Sequence, residues 1–264
     1  MKRSMLTSQK GRPAEFHRAR GFSLIEMLIA VAIVTAVIAV VVQGITKMQR
    51  RSFVEGSKID TVQETRDFID QMVRDVHNVG YPPPKVNPNP GANCTTVNNQ
   101  NVACGLIYFS PTQIKYEADL DGSGTVYQVW VQLAAGPSGG CPCVLQRGAI
   151  TKTLAMGGTN PTYFTEVNGV LNSGDGTGNA TYAISLTGSG SYTTYGTADV
   201  FASYDSNATL NPVGTCTTAT ACSSIRSLQI TANVVPSFID NATNTFQVTS
   251  ITSKVRLNNV AIGN

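Results

Sequence analysis

The chain has 264 residues, with 19 Lys and Arg, 16 Asp and Glu, and six cysteines. Residues 1–21 hold six basic residues and one acidic residue, a balance of +5, and the remainder balances at −2. The positive charge is therefore local to the N-terminus, which argues against a nucleic-acid-binding body, and the length fits an N-terminal segment plus one or two globular units.

The first element is the apolar run from Phe22 to Val42. Its 21 residues, at about 1.5 Å each, span roughly 30 Å, the thickness of a bilayer core. The basic cluster ahead of it predicts a cytoplasmic N-terminus and an outward-facing C-terminal mass. A cleaved secretory signal would have a shorter apolar core and a small-residue site after it, and "VVQGITK" offers none. A plain anchor explains the length but not Glu26. A carboxylate in a membrane helix costs about 2.5–3.5 kcal/mol at the bilayer centre, less near the end, and marks a function by default.

The residues "RGFSLIEMLIAVAI" carry a resemblance. They look like the class III signal of type IV pilins and type II secretion pseudopilins: Gly, Phe, Glu at the fifth mature position, then an unbroken apolar run. The resemblance implies that a prepilin peptidase cuts between Gly21 and Phe22 and methylates the new amine, making Phe22 N-methylphenylalanine. It also implies a filament-assembly role for Glu26. A neighbouring subunit's terminal amine would pair with this carboxylate in a lipid-free core, where both charges would otherwise be buried alone. The implied partners are that peptidase and methyltransferase, other major and minor pilins, the inner-membrane assembly platform, and the membrane itself before assembly.

The helix is expected to continue past the membrane, from about 23 to 78, a length of roughly 80 Å. Ile45, Met48, Val54, Ile59, Val62, Ile69, Met72, Val73 and Val76 recur in steps of mostly three and four, giving an amphipathic stripe. Gly44 and Gly56 are interior weak points. "NVGYPPPK" is the stop signal, with Gly80 just past the periodic segment and prolines after it. The stretch "VQETRDFIDQMVRDVHNVGYP" resembles the helix end of PilW-type minor pilins and of GspJ-like pseudopilins.

Beyond residue 80 the sequence is rich in Thr, Ser, Asn, Gly and Val, the texture of a secreted β domain. Alternating candidates are "GLIYFS", "TQIKYEAD", "TVYQVWVQL", "TYAISLT", "DVFASYD", "SIRSLQITANVV" and "TFQVTSITSKVRL". The last also resembles the final strand of PilW-like proteins. Residues 86–104, 136–142, 156–179 and 206–223 read as long surface loops. "ADLDGSGTVYQ" has two readings. Asp-Gly and Ser-Gly make it a hairpin turn. Asp119, Asp121, Ser123 and the Thr125 carbonyl also stand at positions 1, 3, 5 and 7 of a calcium loop, although position 12 is Trp130 and no second helix follows.

All six cysteines lie in this part, which suggests disulfides formed outside the cytoplasm. Spacing suggests Cys94–Cys104 and Cys216–Cys222. That leaves Cys141 and Cys143 of "CPC", whose mutual bond would be strained, and cross-pairing stays open. His17 is in the leader and His77 ends the helix, so no His stands by for a metal, and no nucleophile motif supports an enzyme.

The sequence thus predicts an α+β protein, a long N-terminal helix packed on a C-terminal antiparallel sheet. Its parts are a cleaved leader (1–21), a membrane or filament-core helix (22–43), an amphipathic continuation (44–80) and an extracytoplasmic head with long loops (81–264). The expected role is a non-enzymatic minor pilin that initiates or caps a pilus for adhesion, twitching motility or DNA uptake. The alternative is a type II secretion minor pseudopilin. No cofactor is expected apart from the calcium reading. The expected location is the bacterial inner membrane, with the head in the periplasm, and then a pilus or pseudopilus at the cell surface.

Overall fold

A computed structural model describes residues 21–83, 101–137, 142–172, 195, 197–211, 214–238 and 246–258. The chain divides into two compact units, Met1–Gln49 and Arg50–Asn264. Helix α1 runs Leu24–Asn78, so the predicted bounds of about 23 and 78 hold to within a residue. It is uninterrupted at Gly44 and Gly56, where an added Cβ would meet nothing. In the first unit every described residue is exposed.

In the second unit the helix buries Thr65, Phe68, Ile69, Met72 and Val76, one face at helical spacing. Thr65 is tolerated there because its hydroxyl donates to the Thr61 carbonyl. The expected stripe is therefore covered only in its last three turns. Ile45, Met48 and Ile59 are exposed, whereas Phe68, absent from the expected stripe, is buried. The stop works as the sequence suggests. Gly80 takes φ 78°, a left-handed value open to glycine at little cost. Its N–H donates to the Glu117 carbonyl, and the following Tyr81–Pro82 bond is cis.

The head is one antiparallel sheet. Strands β1 (Leu106–Ser110), β2 (Gln113–Ala118), β3 (Tyr127–Ala134), β4 (Cys143–Thr151) and β5 (Phe164–Val170) follow one another as neighbours. A short helix α2 (Lys152–Met156) follows β4. Strand β7 (Ser227–Val234) pairs along its whole length with β8 (Thr249–Arg256). Its other edge is shared by β6 (Phe201–Tyr204) and, at Val234 alone, by β5. A register shift between Leu106 and Tyr108 explains why Leu106 and Phe109, three apart, both face the core.

The core forms where the buried stripe of α1 meets the inward residues of the sheet, including Ile114, Tyr116, Val129, Val131, Leu145, Leu228 and Ile230. Strand β8 exposes Lys254 and Arg256, charges that discourage pairing at an edge.

Two strands depart from the sequence reading. β4 was not anticipated, and β5 lies within residues 156–179, read above as loop. Gly169 in β5 takes φ 72°, and a Cβ there would lie 2.3 Å from the Val235 carbonyl oxygen. Only glycine permits that approach. The other loops also hold structure. Val102, Ala103 and Cys104 are buried, and residues 206–223 contain the start of the 3-10 helix Ala221–Ser224 and a bridge from Cys216 to Phe109. The strand expected at "TYAISLT" lies outside the described residues.

Candidate functional site

The N-terminal site begins with a bond that is free of regular structure. Gly21, Phe22 and Ser23 precede α1 and are exposed, Phe22 by 82%. A backbone bond outside a helix and open to solvent is what a peptidase can reach. The rest of the leader, residues 1–20, lies outside the described residues.

Glu26 has a partner within its own chain. Its Oε2 accepts the Ser23 N–H at 3.0 Å. This is the return half of a capping box, Ser-x-x-Glu, in which the third helical residue satisfies an orphan donor at the helix start. A carboxylate in the first turn also suits the positive end of the helix dipole. This cap was not among the sequence expectations, although "SLIE" spells it. Glu26 is thus an exposed anion already aimed at the helix start, beside the terminus that cleavage after Gly21 would create.

Behind it stands an apolar surface with no cover among the described residues. Leu24, Ile25, Leu28, Val31, Ile38 and Val42 are all more than half exposed. The helix is long and apolar enough to cross a membrane, and its most apolar stretch is wholly unburied. Such a surface needs lipid or other helices around it.

In the head, two polar clusters hold elements together. Asp75 Oδ2 accepts from Arg147 Nη2 at 2.7 Å and from the Tyr116 hydroxyl at 2.9 Å. Burial, then the Asp75 carboxylate, push the Tyr116 phenol well above its ordinary range, while Arg147 opposes the shift. Lys152, at the start of α2, is 1% exposed and pairs with Glu117 at 2.8 Å. Glu117 also accepts from the Cys104 N–H and the Gln128 amide. These partners are distant in sequence, and no local pattern announced them.

Cys216 and Cys222 form the expected disulfide, with Cα atoms 5.4 Å apart. Cys104 and Cys143 are each disulfide-bonded. Cys94 and Cys141 lie outside the described residues, and with them the remaining pairings. His77 Nδ1 lies 3.1 Å from the Asn258 amide. No cluster of three or more His, Cys, Asp or Glu suited to a metal occurs among the described residues.

The segment Asp119–Thr125 curls into the expected turn between β2 and β3. Asp119 Oδ2 accepts the Gly124 N–H, Asp121 Oδ1 accepts the Ser123 N–H, and Ser123 Oγ accepts the Thr125 N–H. Gly122 and Gly124 take φ 70° and 81°.

Comparison with known proteins adds one match. Residues 16–42 fit the family model of the prokaryotic N-terminal methylation motif. That motif is the prepilin-type signal of type IV pilins and pseudopilins, and it implies processing by a prepilin peptidase and assembly with other pilins. No curated protein and no solved structure matches the chain.

Proposed function

We propose that this chain is a minor type IV pilin, a structural subunit without catalytic activity that helps to initiate or cap a pilus. The observation that carries the reading is the methylation motif seated on the start of a helix whose apolar side chains from Leu24 to Val42 are left uncovered by the described residues. The peptidase would cut after Gly21 and methylate the Phe22 amine. The apolar run would anchor the subunit in the inner membrane and later enter a filament core. The disulfides favour an extracytoplasmic head. The task served, whether adhesion, twitching motility or DNA uptake, would be set by the head's surface and its neighbours. A type II secretion pseudopilin would share the same N-terminal chemistry. Neighbouring genes separate the two: other minor pilins and a tip adhesin, or secretion-system components.

N-terminal mass spectrometry of the protein from cells tests the central step. The expected mature chain starts at methylated Phe22. An intact Met1 start, or a cut beyond Val42, overturns the reading.

A further inference from the structure

We propose that the β2–β3 turn is a calcium site in which Asp119 and Asp121 supply carboxylate ligands and Ser123 and the Thr125 carbonyl complete the protein's share of the shell. Asp119 is 6% exposed, and its Oδ1 has no hydrogen-bond partner although its Oδ2 is held by the Gly124 N–H. Buried carboxylate oxygens are costly to leave unpaired, and a bound ion or water is the usual partner of such an oxygen. Neither Asp119 nor Asp121 takes part in an ion pair among the described residues.

The turn gathers the other donors on one short loop: Asp119 Oδ2 accepts the Gly124 N–H, Asp121 Oδ1 accepts the Ser123 N–H, and Ser123 Oγ accepts the Thr125 N–H. Two carboxylates and a hydroxyl drawn onto one turn suit a divalent cation. Calcium suits the donors better than magnesium does. It takes six to eight oxygen ligands in flexible geometry, including carbonyls and water, whereas magnesium demands a near-ideal octahedron.

The spacing fits a calcium loop, and Gly124 has the left-handed φ of 81° that a sharp turn uses. In a calcium loop, ligands come from positions 1, 3, 5 and 7, and a glycine at position 6 makes the sharp turn. Here those positions are Asp119, Asp121, Ser123, Thr125 and Gly124. The missing glutamate at position 12 is the main departure, since Trp130 stands there inside β3. Water would fill the places that glutamate would take. With two carboxylates in place of three or four, the expected affinity falls in the weak class of extracellular modules, about 10⁻⁴–10⁻³ M.

The site also has structural reach. The Asp119 N–H donates to the Tyr81 carbonyl at 2.9 Å, so the first ligand residue is hydrogen-bonded to the turn that ends α1. Filling the site would tighten the junction between helix end and sheet.

The test uses the full chain in detergent micelles, titrated with calcium chloride and separately with magnesium chloride by calorimetry, alongside thermal melting. The expected result is one calcium per chain, weaker heat with magnesium, and a melting temperature that rises with calcium. Asp121→Asn removes an exposed ligand and should leave the calcium-free melting temperature unchanged. It should weaken calcium binding at least tenfold and abolish the calcium-dependent rise. Asp119→Asn, which keeps an oxygen for the Gly124 N–H, should do the same to binding. No saturable binding by the wild-type chain at millimolar calcium overturns the proposal. So does binding that Asp121→Asn leaves intact.

Discussion

Asp75 and Arg147, 72 positions apart, form a largely enclosed ion pair with 2.7 Å between Oδ2 and Nη2. Asp75 belongs to the last turns of α1 and Arg147 to the middle of β4, so the pair fixes the helix end against the sheet. Removing one partner leaves a poorly hydrated charge and, at Tyr116, a buried hydroxyl with a weakened network. Arg147→Ala should destabilise the head by about 3 kcal/mol. Denaturant unfolding of the full chain in detergent measures this, and a loss under about 1 kcal/mol would assign the pair a surface-like role.

Tyr116 makes the head sensitive to alkali. In the unfolded chain its phenol ionises near the ordinary value of 10.0, whereas in the fold it keeps its proton well above that. Above that pH the folded state therefore holds more protons than the unfolded one. Stability contributed by this group is full below pH about 10 and falls as pH rises further. Tyr116→Phe lacks the titration. It should lose about 1 kcal/mol at neutral pH with the hydrogen bond to Asp75, yet show a shallower decline between pH 9 and 11. Chemical unfolding of both proteins across that range checks the crossing trends.

One pair of substitutions can separate the proposed filament role of Glu26 from its observed bond to the Ser23 N–H. Glutamine serves a capping box as glutamate does, but it cannot neutralise a terminal amine. Glu26→Gln should therefore keep the helix start, cleavage and membrane insertion, yet fail to enter filaments as completely as Glu26→Ala does. Quantifying each variant in sheared filaments against the membrane fraction provides the reading. Glutamine at wild-type levels would mean that the cap alone matters.

The Lys152–Glu117 pair is the most enclosed charge contact in the described head, with side chains 1% and 3% exposed. Lys152→Met strands a buried carboxylate and should cost about 3–5 kcal/mol. The double variant Lys152→Met, Glu117→Gln removes the charge while keeping one acceptor oxygen for the Cys104 N–H. It should recover a large part of that loss. Equal unfolding midpoints for single and double variants would refute the electrostatic account.

Much of this architecture was legible because its signals are local. The apolar run, the Gly80 stop and the alternation of β2, β3, β7 and β8 each sit within one short stretch. β4 and β5 were not legible, for a shared reason. β4 carries Arg147 and Gly148 mid-strand, and β5 carries Asn168 and Gly169, residues that read as loop until their partners are known. Arg147 is satisfied by Asp75, and Gly169 by the close approach of Val235. The calcium reading was equally local. What the sequence could not supply was the burial of Asp119 and its unpaired Oδ1.

The ending of α1 has a mechanical meaning. Gly80 is bonded to Glu117, Tyr81 to Asp119 and Asp75 to Arg147, while Phe68, Ile69, Met72 and Val76 sit in the core. Tension drawn along the helix would load these polar and apolar contacts together, because they lie between Phe68 and Tyr81, in the last turns of α1 and the turn just after it. A junction of this kind yields by collective rupture and not by peeling one bond at a time. The sheet therefore holds the last turns of the helix as a clamp grips a cable.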